Sequence, residues 1–144
     1  MTRLLVTDTI DVDAAPERVW SALTDPDALC EWYAPGCRWE IPTLAAGAPV
    51  RFFNTDTDVQ PATIVVLEPG RCLALRWQPE PALPTATLLT TYTLTGTATG
   101  STVSLTHSEY ESVPVEQRAA WLAADQGAVP AILAALARYL AIAP

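Results

Sequence analysis

The sequence contains no lysine and only one histidine, His107. All 8 positive side chains are therefore arginines, set against 16 aspartates and glutamates for a formal net charge of -8. A chain so poor in clustered positive charge is badly suited to nucleic-acid phosphates and to anionic membranes, which are bound through Lys and Arg, so neither is expected as a partner. One histidine rules out a multi-histidine metal centre, and Cys30, Cys37 and Cys72 show no ligand spacing; no metal is expected. The same cysteines are odd in number and lack a Cys-x-x-Cys pair, which makes them small buried hydrophobes rather than a disulfide framework.

Long apolar runs are also missing. Half the residues are hydrophobic, but charges and prolines interrupt every stretch before the roughly eighteen residues of a membrane span. Leu4-Leu5-Val6 begins like a secretory leader and is cut short by Asp8, so a soluble, cytoplasmic protein is expected. No nucleotide fingerprint, Ser-His-Asp order or phosphate-cradling loop appears; Gly47, Gly70, Gly96 and Gly100 are isolated turn residues, and no cofactor is implied. At 144 residues the chain suits one domain over positions 1–144.

Periodicity supplies the architecture. Leu4 to Val12 alternates with the period of a strand covered on one face. Asp13 with Pro16, then Asp25 with Pro26, each read as a cap followed by proline in the first turn, predicting two short helices that end near Gly36. Six further strands are predicted: Arg38 to Ile41, Pro49 to Phe53, Ala62 to Glu68, Cys72 to Gln78, Leu88 to Leu94 and Thr102 to Glu109. Short turns between them imply an antiparallel sheet. From Val115 the pattern turns helical, with Ile132, Leu133, Leu136, Tyr139 and Leu140 as an apolar stripe. Pro130 predicts a break near Gly127 before the long helix.

Strand parity points to a lined cavity. Thr102, Ser104, Thr106 and Ser108 share one face of the last strand, leaving Val103, Leu105, His107 and Glu109 on the other, inward face. The same test turns Trp39, Phe52, Trp77 and Tyr92 inward, a mixture of large apolar area and a few polar handles. The proline-rich segment Gln78 to Pro84 is expected at the entrance. Glu111, Glu116 and Asp125 are read as solvated surface charges, or as a surface offered to a partner.

Ile10-Asp11-Val12-Asp13-Ala14-Ala15-Pro16-Glu17-Arg18-Val19-Trp20 through Asp25-Pro26, followed by Trp32, resembles the opening of the SRPBCC, or START-like, superfamily. Leu105-Thr106-His107-Ser108 and the ending Pro130 to Leu140 are similar to the branch related to the activator of heat-shock-protein-90 ATPase. The resemblance implies an α+β helix-grip fold: about seven curved antiparallel strands around a long C-terminal helix, with two short helices after strand one. It also implies a cavity between sheet and helix used by relatives for lipids, polyketides or hormones. Relatives often carry Gly-Trp at the start of the long helix. Here Ala128-Val129 precede Pro130 and the nearest tryptophan is Trp121, so the pocket is expected to differ there.

These readings converge on binding, rather than catalysis, of a small hydrophobic or amphipathic molecule, with Trp32, Trp39, Phe52, Trp77, Tyr92, His107 and Glu109 as ligand-binding residues. Two alternatives stay open. His107 and Glu109 could act as acid and base in a cyclase-, dehydratase- or hydrolase-like reaction, or the domain could regulate a chaperone ATPase. A homodimer is compatible with each.

Overall fold

The computed structural model describes residues 4–34, 36–81 and 83–142. Seven strands form one antiparallel sheet: β1 (Leu5–Val12), β2 (Arg38–Glu40), β3 (Pro49–Phe53), β4 (Val59–Glu68), β5 (Cys72–Trp77), β6 (Leu89–Gly96) and β7 (Ser101–Ser108). Their spatial order is β1-β7-β6-β5-β4-β3-β2, so every strand from β2 to β7 pairs with its sequence neighbour, and β1 closes the far side on β7. The register between β4 and β5 shifts between Ile64 and Val66, a bulge that bends β4 and increases the curvature of the sheet.

Alternation sets which side is covered. Val103 and Leu105 on β7, Leu73 and Leu75 on β5, and Tyr92 and Leu94 on β6 are buried under the helices. The opposite face of β7 meets β1 through hydroxyl pairs, Thr7 with Thr106 at 2.9 Å and Thr9 with Ser104 at 2.8 Å. Cross-strand hydroxyl pairs of this kind suit a solvated face.

Helices α1 (Pro16–Thr24) and α2 (Pro26–Trp32) follow β1. Asp25 caps α2 as the sequence suggests, accepting from the Asp27 amide at 3.1 Å, with Pro26 in the first turn. The expectation for Asp13 fails: α1 begins after Ala15 with no side-chain cap. Here Pro16 alone, whose nitrogen needs no acceptor at this position, marks the start.

Helix α3 (Val115–Ile142) packs Val129, Leu133, Leu136 and Leu140 onto the sheet, completing the α+β helix-grip arrangement. A one-turn 3-10 segment, Tyr110–Ser112, leads into it. Contrary to the break expected near Gly127, α3 is continuous through Pro130. Pro130 and Gln126 both lie on the exposed side, where water can take the carbonyl that the proline leaves without a donor, while the buried stripe holds the two halves together. The continuous helix also corrects the reading of apolar runs: by length and composition α3 could cross a membrane, although here its leucines are packed against the sheet. Pro130→Ala restores the missing amide and is expected to raise stability by about 1–3 kcal/mol, read from thermal or urea melts.

Candidate functional site

Between the sheet and the first half of α3 lies a cavity of about 390 Å³. Its walls carry four aromatic rings: Tyr33 from the segment after α2, Phe52 from β3, Trp77 from β5 and Trp121 from α3. Aliphatic surface comes from Leu83, Ala86 and Leu88, and exposed residues of the proline-rich segment, Pro79 and Pro81 among them, form the rim expected from the sequence.

The rings hold one another in place. Phe52 packs on Tyr33 with centroids 5.3 Å apart, and Trp39 packs on Phe52 at 4.8 Å and on Trp77 at 6.0 Å. Behind this cluster a second space of about 20 Å³ is lined by Trp39 and Tyr92 with aliphatic side chains from α1, α2 and the sheet. Trp39 Nε1 is buried with no hydrogen-bond partner among the described residues, whereas Trp77 Nε1 donates to Thr90 Oγ1 at 2.9 Å.

The polar end of the main cavity is built from β7 and α3. His107 Nδ1 lies 3.3 Å from Asp125 Oδ2, with both side chains mostly buried. The hydroxyl of Tyr110, a fully buried residue, donates to the same Oδ2. Burial of Asp125 works to raise its pKa, but the interactions with His107 and Tyr110 outweigh it, and the carboxyl falls below its ordinary value of 3.8. Tyr110 is driven strongly upward by burial and then by the Asp125 carboxylate, which keeps its hydroxyl a donor. Burial, with smaller contributions from Cys37 and Asp125, pushes the Tyr33 phenol up to about 12.

Of the residues expected to bind ligand, Phe52, Trp77 and His107 line the main cavity, and Trp39 and Tyr92 line the small inner one. Trp32 is buried away from both, donating Nε1 to the Ala22 carbonyl at 2.9 Å and tying α2 to α1. Glu109 is a correction. Strand β7 ends at Ser108 and Glu109 turns into the left-handed region at φ 68°, so the alternation that placed it beside His107 stops one residue earlier. Its carboxylate instead pairs with Arg76, on the side of β5 opposite to Leu75 and Trp77. The acid and base pair proposed from the sequence is therefore not assembled.

Asp125 takes the place beside His107, correcting its reading as a surface charge. An imidazole anchored through Nδ1 to a carboxylate, with Nε2 unpartnered among the described residues, can accept or donate a hydrogen bond or a proton there. Tyr33 and Trp121 were also not identified as cavity residues. The detectable signal lay on α3: Trp121, Asp125 and Val129 recur every four residues and continue into Leu133, so the aspartate sits inside the apolar stripe. Among the described residues no group of three or more His, Cys, Asp or Glu side chains converges as a metal site.

Solved structures share this architecture. Protein MLL2253 from Mesorhizobium loti is 23% identical, with a TM-score of 0.82 over 98% of this chain and 99% of its own. The Aha1 dimer from Colwellia psychrerythraea is 18% identical, with a TM-score of 0.76 over 96% of this chain and 97% of its own. DynU16, from the dynemicin biosynthetic locus, is 25% identical with a TM-score of 0.75; the match covers 96% of this chain and 47% of DynU16. No protein with a curated description matches. The family model for activator of Hsp90 ATPase homolog 1-like proteins matches residues 13–141, nearly the whole length, and the chain belongs to that family.

Proposed function

We propose that the protein binds a small amphipathic molecule in the cavity between the sheet and α3. The observation that carries this reading is the lining itself: four aromatic rings line a cavity of about 390 Å³ that also presents a carboxylate and imidazole pair. Mostly apolar walls with a few convergent polar groups are what ligand sites of this size present. Rings that line a space open to water leave apolar surface hydrated, and a bound apolar body would remove that surface from water. The presence of DynU16 in a biosynthetic locus is in keeping with small-molecule work on this fold, while the Hsp90 ATPase activator in the family's description points instead to a protein partner. Within this proposal the protein resides in the cytoplasm and acts through the cavity rather than through a chaperone-binding surface.

The test is native mass spectrometry of gently purified protein, followed by a thermal-shift screen against apolar and amphipathic compounds. A ligand present at a hundred times its Kd stabilises a protein by about 2.7 kcal/mol, a rise in Tm of several degrees. A stoichiometric adduct or such a rise, competed by a second cavity ligand, is the expected result. An empty protein with no shift across the library would overturn the proposal and favour a partner-binding role.

A further inference from the structure

The charge and hydrogen-bonding capacity of the cavity lining narrow the ligand class. Among the described residues no arginine lines the cavity, and its carboxylates are Asp125 beside His107 and Glu80 at the rim. The sequence has no lysine to supply the missing positive charge. Arg76, which the strand alternation turns away from the cavity, is held by Glu109; Arg38 and Arg51 pair with Glu40 on β2; Arg118 donates to the carbonyls of Tyr110, Glu111 and Val113. Among the described residues a carboxylate or phosphate ligand would find no formally cationic partner in the cavity except a charged His107, whose Nδ1 already faces Asp125.

The inner end has unused acceptor capacity. Both contacts to Asp125 fall on Oδ2, which leaves Oδ1 of a mostly buried carboxylate without a partner among the described residues. An ionised carboxylate has acceptor sites on both oxygens, so Oδ1, on a residue that lines the cavity, is open to a donor from a bound molecule. A neutral imidazole whose Nδ1–H faces Asp125 offers Nε2 as another acceptor. The complement of two neighbouring acceptors is a head group rich in N–H donors. The rings of Tyr33, Phe52, Trp77 and Trp121 line the same space, and a cation seated over the face of such a ring is attracted by its quadrupole.

From this juxtaposition we infer that the cavity selects an amphipathic amine: an apolar or aromatic body carrying a primary or secondary ammonium that donates to Asp125 and lies against the aromatic wall. The inference rests on the ligand-binding reading above and deepens it.

Three probes with the same aromatic body separate the possibilities: naphthylethylamine, naphthylethanol and naphthylacetate, each titrated calorimetrically into the full chain at neutral pH. The ammonium is expected to bind about tenfold tighter than the alcohol, and the carboxylate weaker than both. In Asp125→Asn the ratio of amine to alcohol affinity should fall toward one. If that variant does not fold, Glu80→Gln at the exposed rim should lower the ratio about twofold at low salt, an effect that added salt removes from the native protein too. Equal binding of amine and alcohol, or carboxylate binding as tight as amine, overturns the amine inference and leaves cavity binding standing. Failure of all three probes to bind overturns both.

Discussion

Gly100→Ala is expected to destabilise the protein by about 3 kcal/mol. The backbone angle of Gly100 is not in the left-handed region, so the glycine is required by space rather than by conformation. A Cβ built there would stand 2.0 Å from the Val12 carbonyl oxygen, 2.9 Å from the Ala14 nitrogen and 3.0 Å from the Asp13 Cα. All three atoms are backbone, and none can swing aside as a side chain could. The crowding occurs where β1 ends, β7 begins and the chain turns toward α1. Next to it, fully buried Ser101 donates its hydroxyl to the Ala14 carbonyl at 2.7 Å, locking the same junction. An added methyl must push β1 from β7 or tilt α1, with losses in the adjoining hydrogen bonds. Urea denaturation of the native chain and the variant measures the difference; a loss below about 0.5 kcal/mol, the range of a neutral surface change, would show that the junction yields easily.

The contrast between that glycine and the cavity shows what the sequence makes legible. Strand parity is strong where hydroxyl and apolar residues alternate without exception, as in Thr102-Val103-Ser104-Leu105-Thr106-His107, and it places His107 on the cavity side. The same rule fails two residues later, because alternation holds only while the chain remains extended, and Glu109 leaves the strand through a left-handed turn. That turn carries Tyr110 inward to reach Asp125. Gly100 reads only as a turn glycine, since the backbone it touches lies almost ninety residues away in sequence and its crowding is a property of the assembled sheet.

Asp125 was obscured for a different reason. A helix broken near Gly127 would have separated it from the stripe of Val129, Leu133 and Leu136, leaving an acidic residue that reads as solvated surface. With α3 continuous, Trp121, Asp125 and Val129 share one face, and the aspartate becomes the only carboxylate in the apolar seam rather than one charge among several. The misreading thus follows from treating proline as a necessary helix break, when an exposed proline in a well-packed helix costs only part of its hydrogen bonding.

Asp125→Ala is therefore expected to cost about 3 kcal/mol despite removing only a small side chain. It leaves the Tyr110 hydroxyl buried without its acceptor and takes from His107 the carboxylate that holds Nδ1. Asp125→Asn keeps the shape and an acceptor oxygen, so it isolates the part that depends on charge. Because the folded carboxyl lies below its ordinary value of 3.8, ionised Asp125 contributes stability that is fully present well above 3.8. The contribution diminishes as pH falls through 3.8 and is lost below the folded pKa, where the residue is protonated in both states. The stability difference between the native protein and Asp125→Asn should accordingly hold steady from about pH 7 to pH 5 and shrink at lower pH. Taking the difference at each pH cancels the titration of the other acidic side chains, which the two proteins share. A difference that stayed constant through the acid range would mean that Asp125 is not held ionised by His107 and Tyr110, and the polar end of the cavity would then be a neutral hydrogen-bonding site.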